Sequence, residues 1–161
     1  VRSMEQSGRL EDAIEYADNA LDEHPRHQGL LVTIAMLHQQ QGNRAQAIEA
    51  YEGVLATNPR SSLALNNLAW IYHEEGNDRA SELSRQAYEL NPENPAIADT
   101  HGWILFKSGQ TEASLPILEK AHELDPESRE IALHLAEAYR AAGRSADARR
   151  VLEKQDTDSK G

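Results

Sequence analysis

A chain of 161 residues is long enough for one ordinary domain or one short repeat array. A charged fraction of 27% beside 39% apolar residues suits a folded soluble chain and argues against disorder. The net charge of −11 disfavours phosphate backbones, the lack of cysteine removes disulfides and thiolate chemistry, and no apolar run approaches the ~18 residues of a membrane span.

Five units follow one another. Gly8, Gly42, Gly76, Gly109 and Gly143 are 34, 34, 33 and 34 residues apart; Pro25, Pro59, Pro92 and Pro126 are 34, 33 and 34 apart. A third series runs Ala13, Ala47, Ala80, Ser114, Ala148. One period and one shared single-residue deletion mark a repeat array. Unit 1 (residues 1–27) holds half of a first helix before Gly8 and a complete second helix before Pro25. The chain opens on Val1 rather than Met, as a piece of a longer protein would.

Unit 2 (28–61) carries Leu31, Ile34, Ala35 and His38 at i, i+3, i+4, i+7, one face of a helix. Gly42 breaks it, and a second helix over about 44–57 carries Ala47, Tyr51 and Val54. Asn58-Pro59 ends that helix, because proline biases the preceding residue away from helix. Unit 3 (62–94) repeats the stripe as Leu65, Leu68, Ala69, Tyr72; its deletion lies between Gly76 and Ala80. Unit 4 (95–128) gives Ala98, His101, Gly102, Leu105. His101 replaces an apolar residue and is expected to be a core histidine bonded to a neighbour. Gly102 matches Ala35, Ala69 and Ala136, so alanine is expected to fit there. Pro116 predicts a helix start near Ser114 or a slight kink. Unit 5 (129–155) gives Ala132, Leu135, Ala136, Tyr139, and residues 156–161 are expected to be a disordered tail. Small residues mid-way along the first helices and early in the second let paired axes approach closely.

This pattern of small residue, glycine turn, alanine and terminal proline resembles the tetratricopeptide repeat (TPR) over residues 1 to about 155. The resemblance implies an all-α fold: a right-handed superhelix of antiparallel helix pairs, about four and a half repeats, with first helices lining a concave groove. Unit 1 departs from the pattern by its short first helix, and no solvating helix closes the far end. Both ends are expected to expose packing surface. Within residues 63–143, "PAIADTHGW" and its flanks are similar to the C-terminal TPRs of bacterial lipoproteins from exosortase and exopolysaccharide export systems. That likeness implies a periplasmic or outer-membrane-associated parent; otherwise the expected compartment is cytoplasmic.

The groove register places Met36 on the first such helix, then Asn66, Asn67, Trp70 and His73 on the next. Asp99, Thr100, Trp103 and Phe106 follow, then His134, Glu137 and Arg140. The only two tryptophans fall in one slot, six residues before a turn glycine, shared with Met36 and Glu137. Two readings stay open: the indoles pack sideways into the core, or at least one is an exposed platform. Side-chain amides suit an extended peptide, and Asn67 matches the groove asparagine of the family. The Lys, Asn and Arg clamp with which co-chaperone TPRs hold a C-terminal carboxylate is not assembled, since Asp99 and Glu137 stand in this groove. The expected ligand is a protein or peptide segment with apolar and basic side chains.

No catalytic constellation emerges: no phosphate loop, no HExxH and no nucleophile elbow. His24 and His27 read as surface residues, and His134 with Glu137, at i, i+3, as an exposed contact rather than a metal site. No cofactor, nucleic-acid partner or membrane insertion is expected. The leading expectation is a protein-interaction scaffold, not an enzyme, within a larger bacterial protein. Its alternatives are a self-associating module stacking through its end repeats and a docking part of an exopolysaccharide export machine.

Overall fold

The computed structural model describes residues 2–25 and 27–158. Among them are nine helices and no strand: α1 (Arg2–Glu23), α2 (Gln28–Gln41), α3 (Arg44–Thr57), α4 (Ser62–Glu74), α5 (Arg79–Leu90), α6 (Pro95–Lys107), α7 (Thr111–Leu124), α8 (Arg129–Ala141) and α9 (Ser145–Asp158). No helix among the described residues is long and apolar enough to cross a membrane.

The hairpins α2–α3, α4–α5, α6–α7 and α8–α9 are closed by one device. Gly42, Gly76, Gly109 and Gly143 adopt φ of 71–90°, the left-handed region where a Cβ is penalised. The next residue then donates back across the helix end, as in Asn43 N–H to the His38 carbonyl and Asn77 N–H to the Tyr72 carbonyl, both 2.8 Å. The first helices open on side-chain caps. Ser61, Asn94 and Ser128 accept from the backbone N–H three residues on, and His27 does so through Nδ1. Each such cap contributes on the order of 1 kcal/mol. The second helices end at Asn58, Asn91 and Asp125, whose φ of −137°, −146° and −139° is the extended backbone that a following proline imposes. The deletion in unit 3 leaves α5 at 12 residues against 14 for α3 and α7.

The expected crossings are present. Ala35, Ala69 and Ala136 are wholly buried, as are Ala47, Ser114 and Ala148. Four apolar clusters follow one another along the chain instead of converging on a single centre. The first helices also touch across units, α4 on α6 and α6 on α8, which makes one continuous inner wall.

Four expectations need correction. Gly8 does not turn the chain: α1 runs unbroken from Arg2 to Glu23. A glycine inside a helix costs only about 0.5–1 kcal/mol, so continuing the helix wins. At the other end α9 reaches Asp158, beyond the expected boundary at Gln155. Gln155 is buried and its amide donates to the Pro126 carbonyl, while Arg129 reaches Asp156 at 3.7 Å. These ties hold the helix past the boundary; residues 159–161 lie outside the described residues. Pro116 is the sixth residue of α7, which starts at Thr111 rather than Ser114. Its ring faces solvent, and the bond it cannot make leaves one carbonyl to water. Finally, a Cβ built on Gly102 would lie 2.7 Å from Leu118 Cγ and 3.3 Å from Ile117 Cγ2. Alanine occupies the same slot opposite Ala50 and Tyr51 in unit 2, Leu83 and Ser84 in unit 3, and Val151 and Leu152 in unit 5, so the close fit at Gly102 lies in how near Leu118 sits and not in residue type alone.

His101 is the core histidine expected. It is 8% exposed, stacks on Tyr88 at 5.4 Å, and its Nδ1 lies 3.0 Å from Ser84 Oγ. Ser84 spends its own proton on the Ser81 carbonyl, so Nδ1–H of a neutral imidazole is the donor. Burial, reinforced by the Arg85 charge, pushes His101 below its ordinary 6.5.

Gly102→Ala should destabilise the protein by a net ~1–2 kcal/mol in urea unfolding, overpacking exceeding the helix-propensity gain. Combined with Leu118→Ala it should add little further loss. Stabilisation by Gly102→Ala alone would contradict this packing. The histidine sets a pH dependence. The unfolded chain takes up a proton near 6.5 and the folded chain resists it, so stability is full above that value and falls as pH drops through it towards the folded pKa. His101→Gln should flatten the decline in urea midpoint between about pH 7.5 and 5.5. His73 and His122, shifted the same way by burial, should account for what remains.

Candidate functional site: an aromatic and imidazole cluster on the inner wall

The inner wall is built from α2, α4, α6 and α8. Three of its side chains converge from three helices. His134 of α8 stacks on Trp103 of α6 with ring centroids 4.0 Å apart and planes 19° apart. Trp70 of α4 approaches the same imidazole at 6.4 Å. Phe106 extends the group from Trp103 at 5.4 Å, and His73 from Trp70 at 5.5 Å. The Lys107 ammonium lies 5.4 Å from the centre of the Trp103 ring. Both indoles are half-buried. The two readings therefore merge: each tryptophan helps seal neighbouring units and shows part of its surface to the groove.

Beneath this layer lies a charge. Asp99 is 7% exposed, and its two carboxylate oxygens lie 2.8 and 2.9 Å from His134 Nδ1. The carboxylate fixes the orientation of the imidazole that stacks on Trp103. His73 is held below its ordinary range, first by burial and then by the Lys107 charge. It therefore enters the groove as a neutral ring near neutral pH.

The remaining expected residues divide. Thr100 does not line the groove; it is buried and its hydroxyl donates to the Ala96 carbonyl. Asp99 is likewise a buried support rather than a groove surface. Asn67 is committed internally, donating to Tyr51 Oη, which in turn donates to Gln39. Asn66 donates to Asn67, and its own carbonyl oxygen is buried without a partner. Asn67 thus braces α4 against α3 and α2, while Asn66 bonds only within α4. Met36 is 51% exposed, and Glu137 and Arg140 are exposed with no hydrogen bond or ion pair among the described residues. Lys107 and Glu130 join the site without having been singled out as members. Glu130 lies one helical turn before His134, and that i, i+4 spacing was the available signal.

Four helical hairpins sharing one packing rule, with an aromatic-lined inner wall, define a helical-repeat solenoid. The profile of the tetratricopeptide repeat family matches residues 5–71 and 105–158, and the chain belongs to that family. The TPR repeat-containing protein PA4667 of Pseudomonas aeruginosa is 40% identical over 58 residues, which are 36% of this chain and 10% of that protein. The chain therefore spans only a small part of that relative. Among solved structures, PilF of Pseudomonas aeruginosa superposes with a TM-score of 0.82 at 21% identity, over 94% of this chain and 70% of that one. A crystal structure of MamA superposes with a TM-score of 0.81 at 19% identity, over 99% and 96%. Identities this low show the shared fold alone. These matches carry the TPR architecture and lend no support to the exosortase or exopolysaccharide likeness.

Trp103→Ala should cost roughly 2 kcal/mol in denaturant unfolding, below the 3–5 typical of a fully buried tryptophan. Trp70→Ala should cost less, because its ring neighbours are more distant. A Trp103→Ala protein as stable as the parent would remove the indole from any role in joining units.

Proposed function

We propose that the chain is a protein-interaction scaffold whose inner wall binds a partner segment carrying apolar and basic side chains. One observation supports this most. Of the five exposed large hydrophobic residues among the described ones, Met36, Leu63 and Leu133 stand on first helices, in the register of the groove. Met36 occupies the tryptophan slot, Leu63 lies one turn before Asn67, and Leu133 matches Asn66 and Asp99. An apolar strip flanking half-buried aromatics is what a partner's anchor residues need. Glu130 and Glu137 lack cationic partners in the same wall, and the net charge of −11 adds a wider attraction for basic segments. Trp103 already holds Lys107, so a ligand cation is better served at Trp70 or at the free carboxylates.

Peptides selected from a random library against the intact chain should be rich in aliphatic residues with Lys or Arg. Met36→Ala, Trp70→Ala and Leu133→Ala should each weaken such a peptide by more than ~1 kcal/mol while the protein stays folded. Tyr16→Ala and Leu124→Ala, on α1 and α7, should leave affinity unchanged. The reverse pattern would move the binding face off the groove. A mass that grows with concentration in light scattering would favour the self-associating alternative.

A further inference from the structure

We propose that Asp99, Glu130 and His134 form a site for one divalent first-row transition cation of zinc's kind, spanning α6 and α8. The proposal does not depend on the groove binding a peptide. The three side chains each offer one ligand atom, and these atoms lie within 4.8 Å of one another. Ligands at zinc bond lengths of 2.0–2.2 Å stand roughly 3.3–3.6 Å apart in a tetrahedron, so the widest pair must close by about 1 Å or slightly more while Asp99 and His134 Nδ1, now 2.8 Å apart, open slightly. The freest of the three, the exposed Glu130 side chain, can supply most of it.

The electrostatics point the same way independently. Asp99 is a buried anion whose only hydrogen-bond partner among the described residues is a single imidazole nitrogen. A carboxylate has lone pairs for about four donors, so one shared N–H leaves a buried charge poorly compensated. A second carboxylate, Glu130, approaches this group with no partner of its own. The neighbouring cation, Arg129, turns away to Asp156. Two carboxylate oxygens within 4.8 Å, with one imidazole between them, lack a positive charge at their centre.

The donor set suits the cation. Imidazole nitrogen with two carboxylate oxygens is a combination that zinc accepts, leaving a fourth position for water. The ring is held ready by its stack on Trp103. Binding requires the imidazole proton to sit on Nε2 instead of Nδ1, so that the Nδ1 lone pair meets the cation where the proton now faces Asp99. The set occurs at one junction only. The matching positions are Asn66, Ala96 and Thr100 between α4 and α6, and Val32, Leu63 and Asn67 between α2 and α4.

The test is a titration of the intact, EDTA-washed chain with zinc chloride, followed by tryptophan fluorescence, calorimetry and melting temperature. One zinc per chain should bind and the emission of Trp103, stacked on His134, should change. Glu130→Gln keeps shape and removes charge at an exposed position. It should weaken zinc by roughly tenfold or more, the least expected for a lost ligand when outer-shell partners cost 10–100-fold. Its melting temperature in EDTA should match that of the parent. His134→Gln should abolish the fluorescence response. Absence of saturable binding, or an affinity unchanged by Glu130→Gln, overturns the proposal. So does binding that vanishes in a His24→Ala, His27→Ala double variant and persists in His134→Gln.

Discussion

The structure depends on how closely two helix axes can approach where each hairpin crosses itself. Ala35, Ala69 and Ala136 are buried at these crossings with Ala47, Ala80, Ser114 and Ala148, and Gly102 lies directly against the Leu118 side chain. A bulky side chain at a crossing would force the axes apart and undo the packing of the residues around it. The left-handed glycine at the end of each first helix matters for the same reason. It turns the chain tightly enough for the second helix to meet the first at that crossing. The larger buried residues, Tyr51, Leu68, Leu118 and Leu135, fill the space around these crossings. Each unit is therefore held both within its own hairpin and by its neighbours, and the core is distributed along the chain.

The groove is a by-product of this arrangement. Once the second helices take up one face of each first helix, the opposite face is turned to a common wall. Side chains in that wall still touch across units, which is why Trp70, Trp103 and His134 meet from three helices. Their role is consequently double. The stacked His134 and Trp103 join α8 to α6, and the surface they leave open is shaped and firm. A partner binding there pays little to order the site, which favours affinity over adaptability. Asp99 shows how far the wall reaches inward, since a buried carboxylate sets the imidazole that the groove presents.

The period, turn glycines, small-residue crossings and slot shared by the two tryptophans were legible in the sequence because each is set locally and recurs. What was not legible depended on the residue across the gap. Gly102 looked equivalent to three alanines, yet Ile117 and Leu118 opposite it leave no room for a methyl group. Gly8 sat on the glycine period, yet α1 runs through it unbroken, because a glycine inside a helix costs little. Asn67 occupied a groove position, but Tyr51 on the paired helix had claimed its amide. Thr100 fell in the register and was spent on its own helix backbone. Glu130 was invisible as a site residue because its relevance comes from Asp99, 31 positions away on another helix. Helical register predicts which way a residue faces. It does not predict which neighbour reaches it first.

Stability is spread along the array of hairpins and is not held in one indivisible core. Native-state hydrogen exchange on the intact chain, resolved by residue and followed through low denaturant, tests this most directly. The account predicts graded protection, highest for α4 to α7, where each unit has neighbours on both sides, and lower in α1 and α9. It also predicts that α9 and α8 open together without opening α4. A single protection free energy shared by all core amides, collapsing at one denaturant concentration, would contradict it.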